Sequence, residues 1–448
     1  MTKKLGERAI VVGASIAGLI TARVLSEFFD QIIAIDRDEI EDKPVVHKSV
    51  PQGHHLHAFL QGGLNVVSSL YPSVTEELGR LGATKIATGR DAVWYTPNGK
   101  AYNFSGSVRA PFKSDLEGYC ASRGLLEFVI RQRTAAISNI HFEYGTPVTG
   151  LICRDARVVG VRLVDSRSIE ADLVVDATGR AHRARQWLAA IGFSSPEETE
   201  IGLDTAYSTA NFRRPESFFG EPLIFITGPA PHFTRRGYVI TIENGTLLVS
   251  LIGRFGDFPP ADKEGFIAFA KQLHSDLAYR IIRDGEQLTP IANQRFVSSV
   301  QRHYERLKPC LEGFLVIGDA LCHFNPIYAQ GMSAAAKQAE ILREILTDRA
   351  TQSRGLGGVA ASFFCQAAEF NSTPWNLAAG ADFAFPQTRG VRPAGAPERA
   401  RYFSELDRLA QEDADVLRLM TEVFHLVQPL SLLQEEPLRS RVLSRLAS

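Results

Sequence analysis

Arg8-Ala9-Ile10-Val11-Val12-Gly13-Ala14-Ser15-Ile16-Ala17-Gly18-Leu19-Ile20 decides the fold of this chain. Four apolar residues run into Gly13, Gly18 follows five positions later, and apolar residues continue to Leu25. The order predicts a buried strand, a tight turn and the start of a helix. A second apolar run, Gln31-Ile32-Ile33-Ala34-Ile35, ends on Asp36 and Arg37, which completes the pattern of a dinucleotide-binding βαβ unit. Gly13 can take φ > 0 out of the strand, and Gly18 lets the helix pack close to the sheet. The backbone N–H groups of Ser15, Ile16 and Ala17, at the positive end of the helix dipole, are expected to face a pyrophosphate. Asp36 is expected to accept bonds from ribose hydroxyls. Ser15 stands where a second glycine is usual. It is small enough for close approach of a phosphate, and its hydroxyl is expected to donate to it.

Working outward, 448 residues suggest two or three domains with ample core. Hydrophobic residues make up 45% and charged residues 22%, an ordinary globular balance. A net charge of −1 gives no reason to expect a nucleic-acid partner. The five cysteines, Cys120, Cys153, Cys310, Cys322 and Cys365, form no C-x-x-C pair, which argues for a reducing compartment and against a disulfide frame or zinc site. Lys3-Lys4 and the apolar run after it mimic a signal peptide, but the phosphate turn explains the glycines better. No stretch reaches the ~18 apolar residues of a spanning helix, so no transmembrane segment and a cytoplasmic location are expected.

Residues 40–63 read as an irregular, His-rich segment, and 64–81 as an amphipathic helix broken at Pro72. Ala92-Val93-Trp94-Tyr95 and Ala101-Tyr102-Asn103-Phe104 flank Pro97-Asn98-Gly99, a strong hairpin signal. Residues 122–137 return to helix. Strands are expected at 140–143, 148–152, 158–164 and 171–176, the last ending in Asp176-Ala177-Thr178-Gly179-Arg180. Alternating runs over 200–255 suggest an antiparallel sheet, with helices at about 262–284. Phe314-Leu315-Val316-Ile317-Gly318-Asp319 is another buried strand ending in an acid. Gly331 begins an Ala-rich helix, 350–358 reads as a linker, and the tail is mostly helical. The expected fold is α/β: a Rossmann-like nucleotide-binding domain over 1–84, 113–186 and 300–350, an inserted antiparallel β-sheet substrate domain over 85–112 and 187–299, and a helical C-terminal region over 351–448.

Gly318-Asp319-Ala320-Leu321-Cys322-His323-Phe324-Asn325-Pro326-Ile327-Tyr328-Ala329-Gln330-Gly331-Met332 matches the pattern G-D-A-x-H-x-x-x-P-x-x-x-x-G nearly position for position. On this segment the chain resembles the FAD-dependent monooxygenases of the para-hydroxybenzoate hydroxylase fold. The likeness is good over residues 1–350 and looser in the tail. It implies that Asp319, after Gly318, bonds the ribityl chain. It places Pro326 by the isoalloxazine, and Gly331 and Met332 at a helix N-terminus aimed at the anionic edge of reduced flavin. It puts Asp176, Arg123 and a backbone contact of Val148 near the cofactor. Within the family the sequence is most similar to flavin epoxidases and hydroxylases of bacterial natural-product pathways, including polyether biosynthesis. That likeness rests on Val50-Pro51-Gln52-Gly53-His54-His55-Leu56-His57, on Asp176-Ala177-Thr178-Gly179-Arg180 and on Asn325 to Ala336, with Trp375, Asp382 and Pro386 matching more loosely.

The resemblance implies non-covalent FAD, O2, and electrons from NADPH, NADH or reduced flavin delivered by a partner reductase. One oxygen would pass from a flavin C4a-hydroperoxide to a hydrophobic small molecule, by alkene epoxidation in preference to hydroxylation. Flavin-dependent reduction of prenyl double bonds, and hydroxylation of a residue in a partner protein, are the alternatives. A halogenase is disfavoured because Trp94, Trp187 and Trp375 form no Trp-x-Trp element. His54, His55 and His57 lack the spacing of a zinc helix and read better as loop histidines at the pocket. His323 is expected to pack at the flavin rim. Pocket candidates are therefore His55, His57, His323 and Pro326, and no metal is expected. Most of Phe212, Phe218, Phe219, Phe225 and Phe233 should be core, a minority lining the pocket. Arg180, Arg183 and Arg185 read by default as a solvated helix face.

Overall fold

The computed structural model describes residues 3–103 and 107–447, so Phe104 of the expected hairpin lies outside the described residues. The chain opens with β1 (Gly6–Val12), α1 (Ile16–Leu25) and β2 (Phe29–Ile35). It continues through α2 (Gln61–Leu70), α3 (Val74–Arg80), β3 (Thr84–Ala87), β4 (Ala92–Thr96), β5 (Gly99–Ala101), β6 (Glu117–Cys120) and α4 (Arg123–Ala135). Next come β7 (Ile140–Glu143), β8 (Val148–Arg154), β9 (Arg157–Leu163), β10 (Ser168–Glu170), β11 (Leu173–Asp176) and α5 (Ala184–Ala190). The middle of the chain holds β12 (Glu198–Phe212), β13 (Leu223–Ile226), β14 (Arg236–Thr241), β15 (Leu247–Arg254), α6 (Lys263–Lys271), α7 (Leu277–Asp284) and β16 (Ala292–Arg302). It ends with β17 (Phe314–Val316), β18 (Cys322–His323), α8 (Gly331–Thr351), α9 (Val359–Asp382), α10 (Ala396–Ala410), α11 (Ala414–Phe424) and α12 (Leu438–Ala447).

The first sheet is parallel throughout, in the order β17–β11–β1–β2–β7. Its central strand is buried on both faces, Ala9 to Val12 being at most 5% exposed, which is why the sequence there is a continuous apolar run without alternation. The turn after β1 is sterically fixed. Gly13 has φ +102°, and a Cβ on it would lie 2.5 Å from the Ala177 carbonyl oxygen. A Cβ on Gly18 would lie 1.7 Å from the Gly13 carbonyl oxygen, so α1 sits directly on the turn. The expected break at Pro72 falls between α2 and α3.

The second sheet has eight strands, β18–β16–β12–β15–β14–β13–β4–β5. It is antiparallel from β18 to β13, as expected, and becomes mixed only where β4 pairs with β13 in parallel. The early hairpin is brought back to close the far edge of a sheet whose other strands come more than 90 residues later, and alternation cannot encode that pairing direction. Period-2 alternation sorts the faces. Ala210 and Phe212 of β12 and Val249 and Leu251 of β15 pack on Phe266, Phe269, Ala278 and Ile281 of α6 and α7. Tyr207 and Thr209, with Ser250 and Ile252, occupy the opposite face. The C-terminal helices α10–α12 form a separate small core around Leu406, Leu409, Leu417, Val423 and Val442. No helix is long and apolar enough to cross a membrane among the described residues.

Candidate active site

The carboxyl ends of β1, β2, β11 and β17 open on one cavity of about 670 Å³, shared with the polar and aromatic face of the eight-stranded sheet. Open parallel sheets carry their ligands at this edge. Gly13, Ser15, Ile16, Ala17, Asp36, Arg37, Arg123 and Val148 line it, as do Asp319, Pro326, Gly331 and Met332. The eight-stranded sheet contributes Tyr207, Tyr238, Ser250, Ile252, Gln294 and Phe296.

Two helices present open N-termini to this cavity. In α1, Ser15 is the N-cap but its side chain makes no capping bond, and the first turn holds no acid. In α8, Gln330 likewise makes no capping bond, no acid follows, and its side-chain amide is buried without a partner. Each helix start therefore has backbone donors without a side-chain acceptor, at the positive end of a dipole. Both are complementary to negative charge.

The Ser15 hydroxyl is spoken for. It donates to Glu127 (2.7 Å) and accepts from the Arg123 guanidinium (2.7 Å), so its proton is not available to a phosphate as expected. Serine here ties the phosphate turn to α4, and only the backbone is left to face a ligand. Glu127 is 3% exposed and is held by Arg123, Arg131 (both 2.9 Å) and His47 (3.3 Å). Burial alone would raise its pKa, but Arg123, His47, Ser15 and Arg131 hold the carboxyl well below the usual range. Asp36 accepts from Ala14 N (2.7 Å) and Asp38 N (3.0 Å), which fixes the carboxylate at the cavity wall, and burial pushes its pKa upward.

Three residues expected at the cofactor stand behind the lining. Gly18 underlies the turn, and Gly318 takes φ +67°, where a Cβ would meet Ala17 Cβ at 2.9 Å. Asp176 is fully buried and accepts from Thr178 N (2.8 Å) and Ala184 N (3.1 Å), so it shapes the Ala177–Arg180 loop that does reach the cavity. The Gly318–Asp319 turn is anchored from below: Gly318 N donates to Gln338 Oε1 (2.7 Å) in α8, and Arg302 donates to the carbonyls of Asp319 (3.3 Å) and Ala320 (3.0 Å). Asp319 keeps its carboxylate at the cavity, 4.0 Å from Arg180 Nε.

Of the histidines, His55 and His57 line the cavity and His54 is exposed. His55 Nδ1 bonds Thr209 Oγ1 (2.7 Å), which bonds Ser250 Oγ (2.8 Å), while His55 Nε2 is buried without a partner. Burial lowers the His55 pKa to about 4, aided by His54 and Arg180, so the ring is neutral at pH 7. Burial and then Arg123 lower that of His57 to about 3. His323 packs edge-on to Phe296 (6.0 Å between centroids) and stays behind the wall. Among the described residues no group of histidine, cysteine and acidic side chains is arranged to hold a metal.

Sequence reasoning missed the wall of the eight-stranded sheet. Tyr207 and Tyr238 alternate with core residues, but alternation does not say which face meets a cavity. None of the five phenylalanines singled out lines it: Phe212 and Phe218 are core, Phe219 is 90% exposed, and Phe225 stacks on Trp94 and meets Tyr238 edge-on. Arg185 is exposed on α5, as a solvated helix face requires, whereas the half-buried Arg180 and the exposed Arg183, at the start of α5, do more than meet solvent. They line the cavity, with the Arg180 guanidinium 5.5 Å over the Phe296 ring.

The donor set fits FAD. One open helix start, with Arg123 beside it, suits a pyrophosphate, a fixed carboxylate (Asp36) suits ribose hydroxyls, and a second open helix start suits the electron-rich edge of a flavin. No protein-family model matches the chain. It is 30% identical to Protein Rv3254 of Mycobacterium tuberculosis, over 99% of this chain and 95% of that one. It is 24% identical to squalene epoxidase 2, mitochondrial, of Arabidopsis thaliana, over 76% of this chain and 54% of that protein. The fold is similar to that of the flavin-dependent brominase Bmp2, with a TM-score of 0.68 at 12% identity over 99% of this chain and 98% of the other.

Proposed function

We propose that this chain, which belongs to one family with Protein Rv3254, is an FAD-dependent monooxygenase of the para-hydroxybenzoate hydroxylase fold that transfers one oxygen atom to a carbon–carbon double bond of a hydrophobic small molecule. The observation that carries this reading is the continuity of the cavity. The lining that suits FAD, including Pro326 and the α8 start, runs without interruption into Tyr207, Tyr238, Ile252 and Phe296. The similarity to a squalene epoxidase favours epoxidation over ring hydroxylation.

Bound FAD supplies the oxygen-activating chemistry. The backbone N–H groups of Ser15, Ile16 and Ala17, with Arg123, would hold its pyrophosphate, Asp36 a ribose, Val148 the adenine and Asp319 the ribityl chain. Residues 1–84, 113–186 and 300–350 would form the FAD domain, with 85–112 and 187–299 as the substrate domain. The α8 N-terminus would stabilise negative charge at the flavin edge. The aromatic wall orients the substrate and keeps water from the reacting atoms. His55, neutral and tethered through Nδ1 to Thr209, lines the cavity with Nε2 buried, so it would shape the substrate wall rather than exchange a proton. Epoxidation requires no protein base.

NADPH, NADH or reduced flavin from a partner reductase would supply electrons in the cytoplasm, a setting that suits five unpaired cysteines. The test is oxygen consumption with each donor across alkene and aromatic substrates, with products examined by mass spectrometry and NMR. Gain of one oxygen with an epoxide signature supports the proposal. Gain of one oxygen as a phenol corrects it to hydroxylation, and gain of two hydrogens without oxygen uptake overturns it in favour of a double-bond reductase.

A further inference from the structure

We propose that the buried pair Arg254–Asp382 positions the Asn325–Ala329 loop, so that α9, which belongs to neither large sheet, sets where Pro326 and the α8 N-terminus meet the flavin. The proposal rests on the FAD reading above. Asp382 ends α9 and Arg254 ends β15, and each side chain is 1% exposed. Arg254 Nη1 lies 2.9 Å from Asp382 Oδ1. The same oxygen accepts from Asn325 Nδ2 (2.9 Å) and the Tyr328 hydroxyl (2.8 Å), two side chains of the loop. Asn325 Oδ1 in turn accepts from Ile327 N (3.2 Å) within the loop and from the Tyr207 hydroxyl (3.3 Å) on the cavity wall. One carboxylate oxygen thus joins the loop, β15 and α9, with β12 reached through Asn325.

Two features say this junction is more than packing. Ala329 takes φ +53°, a left-handed conformation unfavourable for a residue with a Cβ. Such a residue persists where its surroundings over-determine it. Ala329 lies between the two anchored side chains and Gly331, and Pro326, Ala329 and Gly331 all line the cavity. Moreover, a buried ion pair is seldom a better stabiliser than apolar residues of the same volume, and its best-attested use is to fix a register. The register fixed here is that of the loop leading into α8. Asp382 and Tyr328 are positioning residues in this scheme, since neither lines the cavity.

The test compares the wild-type full chain with Tyr328→Phe and with the double variant Arg254→Met/Asp382→Leu. Asp382→Asn alone would strand a buried guanidinium and endanger folding. Tyr328→Phe removes one oxygen, and the double variant removes both charges together. FAD affinity is measured by fluorescence titration, the bound flavin by visible spectrum, and the two-electron midpoint potential by dye equilibration. Both variants are expected to bind FAD within about threefold of wild type. If the α8 start drifts from the flavin edge, reduced flavin loses at least about tenfold in relative stabilisation, a fall of about 30 mV. A shifted spectrum accompanies it. Potentials and spectra equal to wild type in both variants would overturn the proposal. Wild-type protein that takes up no FAD would overturn the cofactor reading itself, a separate and recognisable result.

Discussion

Gly18→Ala isolates how closely α1 is seated on the phosphate turn. Gly18 has ordinary helical geometry, so the change adds no backbone strain and should gain about 1 kcal/mol of helix propensity. Against that, the new Cβ would stand 1.7 Å from the Gly13 carbonyl oxygen and 2.9 Å from its carbon, with Val11 Cγ1 at 3.4 Å. The obstacle is backbone, so no rotamer change relieves it, and α1 must withdraw by about 1 Å or more. Overpacking of this kind costs about 1–3 kcal/mol, and a backbone obstacle argues for the upper part of that range. The net loss is then about 2 kcal/mol, roughly 2 °C in Tm for a chain of this size if it melts as one unit. The larger effect falls on the ligand. Losing one or two backbone hydrogen bonds to a charged pyrophosphate costs about 3 kcal/mol, about a hundredfold in FAD affinity. Gly380→Ala in α9 is the control, since nothing lies within 4 Å of its Cβ position, and it should stabilise by about 0.5–1 kcal/mol. Calorimetry and FAD fluorescence titration read both variants. Gly18→Ala protein that binds FAD within twofold of wild type would refute the argument.

Three further outcomes are expected. Ser15→Ala should lower stability by about 1.5–3 kcal/mol, because Glu127 loses a donor and Arg123 an acceptor, while FAD affinity falls less than about tenfold. Chemical unfolding and FAD titration would read this, and intact stability with a collapse of FAD binding would instead restore the hydroxyl as a phosphate contact. Asp319→Ala should weaken FAD retention by about ten- to a hundredfold, read by equilibrium dialysis, and unchanged affinity would remove Asp319 from the site. His425 is pushed to about 4 by burial, and its Nδ1 accepts from Gln61 N (3.3 Å), which requires the neutral ring. Its folded pKa lies below the unfolded 6.5, so the unfolded chain binds the proton first as pH falls. The contribution is complete above pH 6.5 and is lost on acidification toward pH 4, about 2 kcal/mol by pH 5. Urea midpoints at pH 7 and 5 should therefore converge in His425→Asn relative to wild type, and an unchanged difference would contradict the shift.

What could be read from the sequence was local. The β1 turn was legible because a strand buried on both faces, a left-handed glycine and a close-packed helix each demand particular residues at short range. The Gly318–Met332 segment was legible because its spacing is long and specific. The direction of the Ser15 hydroxyl was not, since its partner Glu127 lies 112 positions away and nothing in the turn announces it. The same holds for Arg180, whose place at the cavity depends on Phe296, and for β4, whose parallel pairing with β13 is a property of the assembled sheet. Thr209 and Ser250 sit opposite one another across two strands, and only the register makes them a pair for His55.

The strand order β17–β11–β1–β2–β7 carries a cost in time. β1 gains β2 at once, but its other neighbour, β11, begins at Leu173, and the edge strand beyond it, β17, begins at Phe314. At about 5–20 residues per second of synthesis, β11 emerges roughly 8–30 s after β1, and β17 roughly 15–60 s after it. Until β11 emerges, the central strand of the parallel sheet stands outside the ribosome with one edge unpaired, which is the condition that recruits chaperones and seeds aggregation. Heterologous production should respond to chaperone supply more than to any change at the finished surface.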